Sequence, residues 1–224
     1  MGYYIDLTSI KLDDYKLKLE KSSLLPSRMI LKEKLDERFN YFKSSGINNV
    51  HELRETLKKK QNFNVLSKTD ALSEEYLTIL LRELNSIHPK PIKIKEFEKI
   101  SQDTILKLEN AGVQNTVQLY DYILNTHKRK ALEDKSGLDA ATIYELTKLT
   151  DLSRIRWVGA KFAQMLYYAG YDTVEKVAKA NHEDLYQTVF QINKEHNFYN
   201  GQIGLNDMKL CIEVAKDIPL EIEY

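Results

Sequence analysis

The residues best suited to chemistry lie in one stretch, Arg154-Ile155-Arg156-Trp157-Val158-Gly159-Ala160-Lys161. Three cations surround a small-residue pair, and the apolar run that follows (Phe162, Ala163, Met165, Leu166) has helical spacing. Where a chain bends into a helix, the first N–H groups lack intrahelical partners and carry the positive end of the helix dipole. A glycine there lets a ligand oxygen approach the backbone. The chemistry this supports is capture of an anion, above all a phosphate, by the backbone of Gly159, Ala160 and Lys161, ringed by Arg154, Arg156 and Lys161. A second cationic group, Lys128-Arg129-Lys130, begins a helical stretch, where positive charge gains nothing from the dipole, so it is a further candidate for phosphate contact. Lys58-Lys59-Lys60 closes a helical stretch and reads as a solvated last turn.

Bond-making chemistry has no comparable footing. There is no Gly-x-Ser-x-Gly, no phosphate loop ending in Gly-Lys-Ser/Thr, no Gly-x-Gly-x-x-Gly and no His-Glu-x-x-His. His51, His88, His127, His182 and His196 are scattered without ligand spacing, so no metal, no cofactor and no enzymatic activity are expected. Cys211 is the single cysteine, set in the apolar stretch Met208–Ile212; a buried, inert thiol and a reducing cytoplasm are the expectation. The 33 basic and 33 acidic side chains cancel, so any attraction to a polyanion must come from a local patch. No signal peptide or membrane-spanning run is apparent, and no membrane partner is expected.

The elements that would position these residues are announced by glycines. Gly46-Ile47-Asn48-Asn49-Val50, Gly112-Val113-Gln114-Asn115-Thr116 and Gly170-Tyr171-Asp172-Thr173-Val174 are in register, each a helix stop followed by a helix cap. Ser73 and Asp139 stand equally far past Gly46 and Gly112, and each precedes a fresh apolar helix; Asn206 takes the third such position, somewhat further on. Thr126 and Asn181 read as additional caps and Gly137 as a stop. Leu31, Leu35, Phe39 and Phe42 form one apolar stripe, which predicts a continuous helix up to Ser45. The pattern predicts an all-α chain of three tandem helical repeats: an N-terminal arm over 1–25, then repeats over 26–90, 91–150 and 151–224, with the join at the Pro89-Lys90-Pro91 segment.

Val158, Gly159, Ala163, Leu166 and Gly170 match the pattern of the helix-hairpin-helix motif, in which an apolar-Gly-apolar-Gly turn joins two helices and its amides meet a DNA phosphate. The third repeat resembles that motif, with one departure: Trp157 stands where the first glycine belongs, and is expected to fill the underside of the bend. The aligned positions in repeat two are Lys99, Ile100, Ser101 and Asp103, and in repeat one Leu35 and Glu37, so those hairpins are degenerate. Beyond the hairpin, Ile155-x-x-x-Gly159, Ala169-Gly170-Tyr171-Asp172-Thr173-Val174 and the closing helix to Ala215-Lys216 resemble a bacterial family known as domain of unknown function 4332, built of helix-hairpin-helix-like repeats. That resemblance implies a fold and no activity.

Two functions follow as expectations. One is a non-enzymatic module binding the DNA phosphate backbone without sequence readout, through Arg154, Arg156, Gly159, Ala160 and Lys161, with Lys128, Arg129 and Lys130. The other is a protein–protein interaction scaffold whose hairpins are purely structural, which the neutral net charge favours.

Overall fold

The computed structural model describes residues 2–224, and among these there is no strand, only helices and two isolated bridges. The chain divides after His88 into two compact units.

The first unit contains α1 (Leu12–Lys21), a 3-10 helix (Pro26–Lys32), α2 (Leu35–Ser44), α3 (Val50–Lys58), α4 (Lys60–Leu66) and α5 (Glu74–Ser86). Residues 1–25 are more than an arm: Leu12, Tyr15 and Leu19, spaced to share one face of α1, lie in the same core as Leu31, Phe39, Phe42, Leu53, Leu57 and Leu80. The apolar stripe that predicts one helix through Leu31 is broken. Leu31 belongs to the 3-10 helix, and Lys34 turns left-handed at φ +47° before α2 begins. Arg38 is buried at that break. Its guanidinium donates to the carbonyls of Ile30 (2.8 Å), Glu33 (2.9 Å) and Ala71 (3.1 Å), and lies over the Tyr76 ring. One cation thus satisfies the carbonyls of Glu33 and Ala71 at the chain breaks and adds a second donor to Ile30 O, which also accepts the Glu33 amide.

The second unit contains a short 3-10 turn (Ile94–Glu96), α6 (Gln102–Asn110), α7 (Thr116–Ile123), α8 (Thr126–Ser136), α9 (Ala140–Leu152), α10 (Ala160–Tyr168), α11 (Val174–Ala178), α12 (His182–His196) and α13 (Leu205–Ala215). Gly46, Gly112 and Gly170 adopt φ of +83°, +82° and +83°, ending α2, α6 and α10. Each stop carries the same pair of backbone bonds. Ile47, Val113 and Tyr171 donate back to Phe42, Leu108 and Leu166, the long bond of a Schellman motif.

The caps that follow recur as well: Asn49, Asn115 and Thr173 accept from the amides of Glu52, Gln118 and Lys176. Ser73, Asp139 and Asn181 also cap as their residue types imply. Two caps lie elsewhere than expected. Asn125, not Thr126, starts α8, accepting from Lys128. Gly204, not Asn206, precedes α13, and the Asp207 carboxylate accepts from the Gly204 amide.

The helices after these glycines are also pinned from outside. The Val50 amide donates to Ile10 O (3.0 Å) and the Thr116 amide to Ile92 O (2.9 Å), within the bridges Lys11–Asn49 and Lys93–Asn115. At the matching place in α11, the Val174 amide donates instead to a buried carboxylate, Asp151 Oδ2, at 2.8 Å. Asp151 also holds the Arg154 guanidinium (3.0 Å) and accepts from the Tyr224 hydroxyl (2.7 Å).

Residues 219–224 lie extended over their own unit, fixed by polar contacts. Arg154 Nη2 donates to Pro219 O (2.9 Å), Arg129 Nη1 to Glu223 O (2.6 Å), the Glu223 amide to Leu124 O (2.9 Å), and the Tyr120 hydroxyl to Glu221 (2.7 Å). Cys211 is buried, and burial pushes its thiol up to about 12.

Candidate functional site

The bend between α9 and α10 is built by a turn over Ile155–Val158, closed by the Val158 amide donating to Ile155 O at 3.0 Å. Ile155 and Val158 are buried and anchor the turn; Arg156 and Trp157 occupy its two corners. Trp157 sits at φ +69°, the left-handed region that such a turn demands at its third position and that glycine usually supplies. A β-substituted residue there costs about 1–2 kcal/mol. The indole does not fill the underside of the bend as expected: it is 46% exposed, and the Arg156 guanidinium lies 4.0 Å from its ring centroid. A cation–π contact at such a site contributes about 0.5–1 kcal/mol, offsetting part of the strain.

Gly159 follows as the N-cap of α10, with φ −86° and ψ 178°, and no side chain at the cap accepts a hydrogen bond from the first turn. Its extended backbone is open to any residue, and a Cβ added there would meet nothing within 4 Å. The fold therefore needs no glycine at 159; what glycine does is leave the amides uncovered. The bend before α6 has the same backbone and the opposite treatment. Lys99 sits at φ +68° and Ser101 is the N-cap, but the Ser101 hydroxyl accepts from the Thr104 amide at 3.1 Å. The Lys99 ammonium lies over the rings of Tyr168 and Phe198 and contacts His196 Nδ1, and the Gln164 amide clamps Glu98 by accepting from its N–H at 2.9 Å and donating to its carbonyl. Both bends are exposed; one helix start is capped by its own side chain and the other is not.

The predicted cations divide accordingly. Lys161 is exposed in the first turn of α10, with Glu98 3.2 Å from its ammonium; such half-exposed pairs contribute at most about 1 kcal/mol and exchange readily. Arg156 is half-buried at the corner of the turn. Arg154 is not a surface cation: its side chain is 1% exposed, locked between Asp151 and Pro219 O. Arg129 is likewise buried, donating to Ile123 O and Glu223 O. Both are corrected from candidate phosphate contacts to structural ties, because a buried guanidinium with its donors engaged has none to offer a ligand. Lys130 is exposed and paired with Glu133 (2.8 Å) and Asp134 (3.5 Å), and Lys128 is half-buried in the first turn of α8, an element apart from the bend. The site narrows to Arg156, Trp157, Gly159, Ala160 and Lys161.

Sequence reading missed Asp151, whose i, i+3 spacing to Arg154 was the available sign. It also missed Glu98 and Gln164, which nothing local to them reveals. Among the described residues no cluster of histidine, cysteine or carboxylates suits a metal ion, and no helix is long and apolar enough to cross a membrane.

Nothing among curated proteins or solved structures matches the chain. A family model does, over residues 98–218, which takes in the bends before α6 and α10 and the helices through α13. That match covers more than half of the sequence and identifies the chain as a member of the family described as Domain of unknown function (DUF4332).

Proposed function

We propose that this chain is a non-enzymatic helical module, built of helix-hairpin-helix-like repeats, that binds the nucleic-acid phosphate backbone without sequence readout at the bend before α10. The observation that carries the reading is the contrast between two bends of one backbone form: Ser101 closes the first with its hydroxyl, while Gly159 leaves the amides of α10 open beside Lys161 and Arg156. Open amides at the positive end of a helix attract a phosphate oxygen, and a lysine in the same turn adds charge without demanding geometry. With so few cations the affinity is modest and salt-sensitive, matching a chain with no net charge.

The test is anisotropy of a labelled duplex and a labelled single strand across a salt series. Affinity falls with a log–log slope of about −1 to −3, as for one to three phosphates. The double variant Arg156→Glu, Lys161→Glu binds about tenfold or more weakly; unchanged binding removes the site.

A second reading, the protein-interaction scaffold, is favoured by one feature. Tyr186 and Phe190 stack on the outer face of α12 with centroids 6.0 Å apart, and Phe190 is 53% exposed. That reading expects no nucleic-acid binding at low salt and a self-associated or partnered species by light scattering.

A further inference from the structure

We propose that Arg156 and Trp157 form a stacking platform for an unpaired nucleobase, which makes single-stranded nucleic acid, rather than duplex, the ligand of the bend before α10. The inference deepens the phosphate-binding reading above and rests on it. Four observations lead there. Trp157 holds a backbone conformation unfavourable for its type, at a corner projecting between two buried anchors, Ile155 and Val158. Its ring is nearly half exposed, although a tryptophan with no outside role gains by burial. The Arg156 guanidinium lies against the ring and fixes its place, so the platform is set before a ligand arrives. The equivalent corner residue, Lys99, is also exposed but lies over Tyr168 and Phe198, so the fold has an alternative in which the corner rests on the protein's own rings.

The occupant follows from what adjoins the ring. Trp157 stands two residues before Gly159, at most about 7 Å away along the chain, on the order of the distance from a base to its own phosphate. A base stacked on the indole would bring that phosphate to the open amides and Lys161. Bases in a duplex already stack on each other and expose only their edges, so a continuous duplex can use the anion site and not the ring. Every base has a π face, so the platform selects unpaired structure and not sequence.

The chain has one tryptophan, so its fluorescence reports on this position alone. Oligothymidylate, a single-stranded RNA of the same length and a blunt duplex are titrated at low salt into the full chain and into Trp157→Gly and Trp157→Phe variants. The glycine variant relieves the left-handed strain, so its melting temperature stays level or rises and a loss of binding is not a loss of fold. The platform predicts that a single strand quenches the tryptophan, that it binds at least about fivefold more tightly than duplex, that Trp157→Gly loses about tenfold in single-strand affinity with duplex affinity within twofold, and that Trp157→Phe recovers part of the loss. A ligand contact at the 2′-hydroxyl would separate RNA from DNA; equal affinity assigns the interaction to base and phosphate alone. Equal single-strand affinity in the wild type and Trp157→Gly, with dependence on Lys161 retained, overturns the platform and leaves the phosphate site. Binding of none of the three polymers overturns both.

Discussion

Arg54 donates from Nη1 to His88 Nδ1 at 3.0 Å, and because a guanidinium can only donate, that imidazole nitrogen carries no proton. The other nitrogen, Nε2, donates to Ile5 O at 2.8 Å, and the ring stacks on Tyr4. The last residue of the first unit is thus held as one neutral tautomer, joining α3 to the start of the chain.

That neutrality gives a pH dependence. Burial holds the His88 pKa below its ordinary value, helped by the positive charges of Arg54, Lys58 and His51 and opposed by the bond to Ile5 O. A histidine depressed in the folded state takes up its proton more readily when unfolded, so its contribution is intact above the ordinary pKa of 6.5 and is lost as pH falls through the lower folded value. Urea unfolding of the wild type from pH 8 to pH 5 is expected to lose stability across this window. His88→Gln is less stable at pH 8 and shows a flatter profile; a profile of equal slope would remove His88 as the cause.

Asp151 compensates a buried guanidinium and the first amide of α11 and accepts the hydroxyl of the part-exposed Tyr224 at once. Asp151→Ala strands all three, and breaking a buried pair by removing one partner costs about 3–5 kcal/mol. Tyr224→Phe removes a single part-exposed bond to a charged acceptor, costing about 1 kcal/mol. Chemical denaturation of the chain checks both, with the alanine variant the more damaging.

Gly159→Ser separates stability from binding. The site has room for the side chain, and a serine there can cap α10 as Ser101 caps α6, adding a few tenths of a kcal/mol over glycine. The same hydroxyl occupies the amides offered to phosphate. The expected outcome is a melting temperature level or slightly raised, with nucleic-acid affinity reduced about threefold to tenfold, read by calorimetry and anisotropy on the same preparation.

Glu98 opposes the proposed ligand, with its carboxylate 3.2 Å from the Lys161 ammonium. Its backbone stays clamped by Gln164 whatever its side chain. Glu98→Gln removes a competing negative charge at little cost to the fold and is expected to raise affinity about twofold to threefold at low salt, with the gain fading as salt rises. Equal gain at all salt concentrations would point away from Lys161.

What could be read in the sequence was what a residue does to its own few neighbours. Gly46, Gly112 and Gly170 end helices because of their own backbone freedom, and Asn49, Ser73, Asn115, Asp139, Thr173 and Asn181 cap because a short oxygen-bearing side chain reaches back to an amide two or three residues on. The break at Lys34 was hidden because the apolar stripe runs straight across it. Thr126 and Asn206 were displaced caps, each outcompeted by a neighbour in better position. Arg154 and Arg129 looked like surface charge because their carbonyl partners, Pro219 and Glu223, lie far along the chain. Trp157 was misplaced for a related reason: which side of a bend a ring takes depends on what the rest of the fold has already filled.

Lys99 and Trp157 carry positive φ in matching bends, and neither is a glycine. The bend therefore owes its form to anchors on either side, such as Ile155 and Val158, rather than to the residue that makes it. Pattern searches that require glycine at that corner will pass over hairpins of this construction. A scan for non-glycine residues in left-handed geometry one position before an aliphatic anchor would gather them, and would sort those whose corner side chain lies over the protein's own rings, as Lys99 does, from those, like Trp157, that carry a ring at the corner.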